Sequence, residues 1–230
     1  MPSETWESSR TQIEDYFDRK AADAWERLTS DEPVSRIRET VRKGRDRMRA
    51  TLLRWLPEDL SGARVLDAGC GTGSFAIEAA KRGADVLAID LSPTMIRTAE
   101  ERTPDELRTR IDYRSGDMLD PALGYFTHAV AMDSLIHYRQ DDMVRALKVL
   151  SKRVAGPILF TVAPRTPMLV VMHSAGQLFP RGDRSPAILP VGRKTLRRNL
   201  KKALPDRVIL RQERVKSGFY ISEAQEFCQR

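Results

Sequence analysis

A chain of 230 residues is long enough for one α/β domain with an addition, and too short for two domains of average size. Its 41% apolar content argues against disorder, and no apolar run approaches the roughly 20 residues of a membrane span. The net charge of +7 is uneven, with eight basic residues and two acids over 36–54 and six basic residues and no acid over 193–202. Such clusters suit nucleic acid, an anionic membrane surface, a small anionic ligand, or simply a solvated helix face.

In chain order, residues 1–10 are polar and hold two acids, unlike a secretory signal. Ile13, Tyr16, Phe17, Ala21, Ala24, Trp25 and Leu28 recur at helical spacing, and the run breaks around residues 30–33. Ile37, Val41, Met48, Leu52 and Leu56 continue with the same period until Pro57. Gly44 inside this second helix costs about 1 kcal/mol against Ala, so it marks a close approach or a bend.

From Gly62 strands and helices alternate. Strands are expected at 64–68, 85–90, 110–114, 126–132 and 157–162, with helices at 74–82, 93–102 and 141–154. Ser92-Pro93 is a helix start, and Gly83 a helix stop. This βαβ rhythm predicts a doubly wound, mostly parallel sheet with a ligand crevice at the carboxyl ends of its strands. Residues 164–190 are rich in Pro and Gly yet contain the apolar run 168–172, so a short inserted helix and loop over the crevice are expected. A basic helix at 193–204 and a hairpin of strands at 208–213 and 217–221 would complete seven strands. The expected organisation is a helical cap over 1–58 and an α/β domain over 59–230, with 164–191 inserted. Cys70 and Cys228 are far apart, and free thiols are expected.

The chemistry concentrates in Val65-Leu66-Asp67-Ala68-Gly69-Cys70-Gly71-Thr72-Gly73, where a strand gives way to a helix. Glycines there let the backbone turn sharply and approach a ligand. A dinucleotide fingerprint wants glycines at positions one, three and six, but counting from Gly69 position six is Ser74. Asp67 would also repel a pyrophosphate, whereas it attracts a sulfonium or ammonium. Asp90 ends the second strand, 21 residues past Gly69, where a carboxylate accepts from ribose hydroxyls. Leu91 and Met95 follow it, placed against an adenine face. Asp117, beside Met118, is placed to accept from the adenine amino group. Each acid alone reads as a helix cap or solvated loop; three at the ends of successive strands beside a glycine turn do not.

This combination, spanning about residues 62–162, resembles the class I S-adenosylmethionine methyltransferases, with their Rossmann-like fold. Methyl transfer from a sulfonium needs in-line alignment and exclusion of water more than it needs an acid or base. The segment after the fourth strand reads Met132-Asp133-Ser134-Leu135-Ile136-His137-Tyr138. It lacks an Asn-Pro-Pro-Tyr motif of amine methylation. His137 at the crevice would orient or deprotonate an oxygen, or simply cap or pack.

Further stretches resemble one family. Asp15-Tyr16-Phe17 with Trp25, Val34-Ser35-Arg36-Ile37-Arg38, Val41-Arg42-Lys43-Gly44-Arg45, Met48-Arg49, Asp133 to Tyr138, and Phe160-Thr161-Val162-Ala163-Pro164 are similar to the magnesium-protoporphyrin O-methyltransferases, especially purple-bacterial members. Thr127-His128 departs from the Phe-Asp of many methyltransferases, at a position not expected to touch substrate. The resemblance implies an N-terminal helical cap over cofactor and tetrapyrrole, S-adenosylmethionine as cofactor, catalytic Tyr16 and His137, and a role in bacteriochlorophyll biosynthesis. It implies cofactor contacts at Asp67, Gly69, Cys70, Gly71, Gly73, Asp90, Leu91, Met95, Asp117, Met118 and Asp133. For the flat macrocycle, Phe17, Trp25, Ile136, Tyr138, Met168, Val171 and Met172 are candidate walls, though each also reads as ordinary core. Arg36, Arg38, Arg42 and Arg45 are candidate partners of its propionates. Magnesium would arrive within the substrate rather than in a protein site, with His173 a candidate axial ligand.

Two other readings stay open. One is an O-methyltransferase for another apolar substrate such as a quinone precursor. The other is a basic RNA-binding protein, disfavoured because few aromatics interleave the basic runs. Under the leading reading no nucleic-acid partner is expected. Hand-over from magnesium chelatase, a cytoplasmic location and a peripheral contact with the photosynthetic membrane through 193–202 are expected.

Overall fold

The computed structural model describes residues 3–19, 36–165 and 187–230. The helical positions expected at Ala21, Ala24, Trp25 and Leu28, the break at 30–33, and Met168, Val171, Met172 and His173 lie outside the described residues.

Residues that alternate between two apolar faces build the sheet. Its strands are β1 (Arg64–Ala68), β2 (Asp85–Asp90), β3 (Ile111–Ser115), β4 (His128–Ala131), β5 (Ile158–Val162), β6 (Arg207–Ser217) and β7 (Tyr220–Gln229). They lie in the order β3-β2-β1-β4-β5-β7-β6. β1 to β5 are parallel, and β7 runs antiparallel between β5 and β6. Leu66, Ala68, Leu87, Ile89, Ala129, Ala131, Ile158 and Phe160 face one core; Val65, Val86, Ala88, Val130 and Leu159 face the other. That period of two, with both faces apolar, is what a covered parallel sheet requires.

The helices are α1 (Glu4–Arg19), α2 (Arg36–Arg54), α3 (Ser74–Lys81), α4 (Pro93–Arg102), α5 (Gln140–Leu150) and α6 (Arg193–Ala203). α5 and α6 cover the first face with Met143, Leu147, Leu196 and Leu200. α2 and α3 cover the second with Met48, Leu52, Phe75 and Ala79. Each fully buried Leu contributes about 1.5–3 kcal/mol. Lys194, Arg198, Lys201 and Lys202 of α6 are exposed, so its basic residues occupy the face opposite Leu196 and Leu200.

Gly44 marks a close approach: a Cβ there would lie 2.5 Å from Cδ1 of Tyr220. α2 thus seats directly on the last hairpin, whose turn differs from the expected one. The sequence places the second strand at 217–221, but β6 continues to Ser217 and the turn falls at Gly218 and Phe219. Gly218 takes φ +55°, which only glycine adopts without strain, and the Thr40 side chain fills the space a Cβ would need. Charged residues such as Glu223 and Glu226 hide β7 from a hydropathy reading; both are buried, paired with Arg193, Arg214 and Arg211. Smaller differences fall at element ends. The fourth strand is confined to His128–Ala131, and α5 stops at Leu150 rather than at 154.

Strand order reverses direction between β1 and β4, which opens a crevice beyond their carboxyl ends. The two ends of the inserted segment meet beside it, with the Val191 amide donating to the Ala163 carbonyl at 2.8 Å.

Candidate active site

A cavity of about 360 Å³ opens at this switch point. Of the expected residues, it brings together Tyr16, Phe17, Arg45, Gly69, Gly71, Asp90, Leu91, Met95, Met118, Asp133, Ile136, His137 and Tyr138 in its wall. Asp67, Cys70, Gly73, Asp117, Arg36, Arg38 and Arg42 do not line it.

The floor is the turn after β1. Gly69, Gly71 and Gly73 all have positive φ, at 81°, 54° and 76°. A Cβ on Gly69 would meet the Ser134 Cβ at 2.3 Å, and one on Gly73 the Tyr113 hydroxyl at 2.4 Å. Gly73 therefore serves packing beneath the turn. The Asp90 carboxylate ties the floor to β2, accepting from the Gly71 amide at 2.9 Å and the Ser92 amide at 3.1 Å. Burial raises its pKa, and those backbone bonds only partly offset the rise. Asp67 lies under the turn, 1% exposed, and its Oδ2 has no hydrogen-bond partner among the described residues. Burial first, and the nearby Asp90 second, push its pKa up to about 7. Cys70 is likewise driven well above the usual thiol value by burial and by the charges of Asp90 and Asp67, so it is a poor nucleophile. Asp90 on the floor and, beneath it, the buried Asp67 with one oxygen unpartnered among the described residues, under an apolar wall of Ile89, Leu91, Met95 and Met118, fit a cationic nucleoside such as S-adenosylmethionine.

The roof is α1. Ser3 and Thr5 donate to Asp142, the Trp6 ring stacks on Tyr138 at 4.0 Å, and Asp18 accepts from Ser92 and Thr94. Burial raises the Asp142 pKa, but hydrogen bonds from Ser3, Thr5 and Arg145 outweigh it and leave a net lowering. Asp117 belongs to this latch: its Oδ2 accepts from Trp6 Nε1 at 3.3 Å and Arg10 Nη1 at 3.1 Å, and its Oδ1 from the Leu119 amide at 2.9 Å. These contacts tie Asp117 to α1 as well as to the strand end where an adenine amino group was expected. Tyr138 stacks under the same helix but keeps an edge on the cavity.

His137 ends a short 3₁₀ turn, Leu135–His137, that follows β4. Phe17 meets its ring edge-on at 6.2 Å, and Tyr16 packs on Phe17 at 5.2 Å, so α1 carries both aromatics to the imidazole. The Ala187 carbonyl lies 3.3 Å from His137 Nδ1. A carbonyl only accepts, so Nδ1 carries a proton; Nε2 is then an acceptor in the neutral ring and a donor in the imidazolium. Burial raises the Tyr16 phenol, which keeps it protonated at neutral pH.

The remaining wall was not foreseen. Val41, Met132, Ile188, Phe219, Tyr220, Ile221 and Ser222 also line the cavity. Gly44 was the one legible sign of it, since it records where Tyr220 presses on α2.

A family model for the magnesium-protoporphyrin IX methyltransferase C-terminus matches residues 131–229, and one for a methyltransferase domain matches 65–155. A Rhodobacter capsulatus protein named magnesium-protoporphyrin O-methyltransferase is 50% identical over 228 residues, 99% of each chain. The chain belongs to the magnesium-protoporphyrin O-methyltransferase family. The crystal structure of magnesium protoporphyrin IX methyltransferase from Synechocystis PCC 6803 with bound SAH matches at a TM-score of 0.84 and 26% identity, over 96% of this chain and 100% of that one. This family membership agrees with the class I methyltransferase fold expected from the glycine turn. Likeness to a ubiquinone biosynthesis O-methyltransferase of Xanthomonas oryzae reaches 35% identity, but over 133 residues, 54% of this chain and 55% of that one.

Proposed function

We infer that this protein transfers the methyl group of S-adenosylmethionine to a propionate carboxylate of magnesium protoporphyrin IX. The products are the monomethyl ester and S-adenosylhomocysteine, in bacteriochlorophyll biosynthesis. The full-length likeness to the Rhodobacter capsulatus enzyme carries this reading, because it extends through the α1 and α2 regions that form the roof and far wall. The quinone-precursor alternative rests on a likeness to only about half the chain.

S-adenosylmethionine supplies a methyl group on a positively charged sulfur. Asp90 would receive its ribose hydroxyls, and Asp67 would balance its positive charge through the turn. Ile89, Leu91, Met95 and Met118 give the adenine an apolar slot. Tyr16 and Phe17, carried by α1, close the roof and exclude water. A propionate has a pKa of about 4.3, so at neutral pH it is already a nucleophilic carboxylate and needs no strong base. His137 then orients one oxygen, and its tautomer decides how: only the imidazolium offers an Nε2 donor to a carboxylate. Activity that declines with rising pH, and loses this limb in His137→Ala, is expected for orientation; a rising limb would assign base catalysis instead.

Magnesium enters inside the substrate; among the described residues no group of three or more His, Cys, Asp or Glu could hold a metal ion. No described helix is long and apolar enough to cross a membrane. We place hand-over from magnesium chelatase at the cavity mouth, and a peripheral contact with anionic lipid on the exposed basic face of α6. Incubation with methyl-labelled donor should label magnesium protoporphyrin IX, with its dimethyl ester and a quinone precursor left unlabelled. Label in the quinone precursor alone would overturn the assignment.

A further inference from the structure

Ile188 and Phe219 are out of place as parts of the fold. Among the described residues, five large apolar side chains are left exposed: Tyr125, Ile188, Val208, Leu210 and Phe219. Of these, only Ile188 and Phe219 line the cavity. They are 41% and 48% exposed, so they stand at its opening, half inside and half in solvent. Ser217 pairs with Tyr220, so Gly218 and Phe219 form a two-residue turn, with positive φ at the glycine alone. That is the II′ arrangement, which requires glycine at its first position and no aromatic at its second. Turns favour Gly, Pro, Asn, Asp and Ser, so the phenyl ring serves something other than the hairpin.

Ile188 is held against the turn that carries His137. On one side of it the Ala187 carbonyl lies 3.3 Å from His137 Nδ1, and on the other the Leu189 amide donates to the Ile136 carbonyl at 2.9 Å. Ile136, Ala163 and Ile221 form a small apolar cluster separate from the two sheet cores, and all three line the cavity. Apolar surface therefore continues from the wall beside His137 out to the rim. The cavity, at about 360 Å³, sits at the low end of the roughly 300–1,000 Å³ that single-ligand sites span. It has no room for the donor and a whole macrocycle at once, so much of the macrocycle lies outside the mouth.

We propose that Ile188 and Phe219 are specificity-determining residues: they hold the apolar face of the tetrapyrrole at the cavity mouth while its propionate arm reaches in to His137. Neither side chain can donate to a carboxylate, so this pair selects the ring and leaves the arm to other groups. Exposed apolar surface at the rim of a site is thereby removed from water only when substrate binds. The proposal rests on the reading that the substrate is magnesium protoporphyrin IX.

Soret titration of magnesium protoporphyrin IX and of its dimethyl ester tests it, together with steady-state kinetics. Phe219→Ser should weaken the acid and the ester alike, by about 5- to 20-fold, and Ile188→Ser by about 3- to 10-fold. KM should rise in step while kcat stays within about threefold. S-adenosylmethionine affinity should stay within about twofold, and the melting temperature within about 2 °C, because half-exposed residues contribute little to folding. Phe219→Leu, which keeps apolar area, should recover most of the affinity. Leu210→Ser removes an exposed apolar side chain from the same hairpin but outside the cavity, and should leave tetrapyrrole binding unchanged. Failure of the wild-type protein to bind magnesium protoporphyrin IX would sink the substrate reading itself. Binding by the wild type that both serine variants retain would overturn this proposal alone, and would assign the rim to a protein partner or a second copy. A loss for the acid but not for the ester would also overturn it, by showing that the rim acts on the carboxylate.

Discussion

The floor and the far wall of the cavity each bury an aspartate, and they treat it in opposite ways. On the floor, Asp67 keeps an oxygen without a partner among the described residues, and its pKa is pushed up to about 7. On the wall, Asp133 accepts from four side chains drawn from α2, β5 and β7. An under-partnered buried acid is costly alone and is relieved by a cation; a saturated one is scaffold. The contrast separates the part of the site shaped for the donor's charge from the part that holds other protein groups in place.

The largest expected effect breaks this contrast on the floor. Asp67→Asn should weaken S-adenosylmethionine binding about 10- to 100-fold by calorimetry. The same change should stabilise the ligand-free protein at pH 8. Because folding raises the Asp67 pKa from 3.8 to about 7, its contribution to stability is fully present below about 4 and is lost as pH rises through 7. An amide removes that loss, so the melting temperature at pH 8 should rise by about 2–4 °C, with little change at pH 4. An unchanged affinity would mean that the buried charge does not face the donor.

A smaller effect is expected on the wall. Gly44→Ala gains about 1 kcal/mol of helix propensity but drives a methyl group into the root of the Tyr220 side chain, at a cost of about 1–3 kcal/mol. Tyr220 must move off Asp133. The melting temperature should fall by about 2–4 °C, and KM should rise several-fold while kcat changes less. A variant with wild-type KM would show that the hairpin wall does not shape the site.

The two regions were also unequally legible. β1 to β5 and the glycine turn could be read because local patterns determine them: a period of two with both faces apolar, glycines where φ is positive, and Ser92-Pro93 starting α4. The hairpin itself could be read but not its extent, because β7 buries Glu223 and Glu226 against Arg193, Arg214 and Arg211, and Gln225 against Gln212. The partners of Asp117 were equally out of reach of local patterns, since Trp6 and Arg10 come to it from α1. His137 could be read from its place after the fourth strand, Tyr16 came from a family likeness, and it takes the fold to bring α1 over the 3₁₀ turn after β4. Of four candidate arginines on α2, helical spacing offered no way to single out Arg45.

The central claim is a carboxylate-floored cavity for a sulfonium nucleoside, and proton release on binding tests it most directly. Calorimetry at pH 7 in two buffers of different ionisation enthalpy should show S-adenosylmethionine displacing a fraction of a proton. S-adenosylhomocysteine, without the sulfonium charge, should displace less, and Asp67→Asn should abolish the release. Binding with no proton change, or displacement of the donor by a pyrophosphate dinucleotide at comparable concentration, would contradict the account.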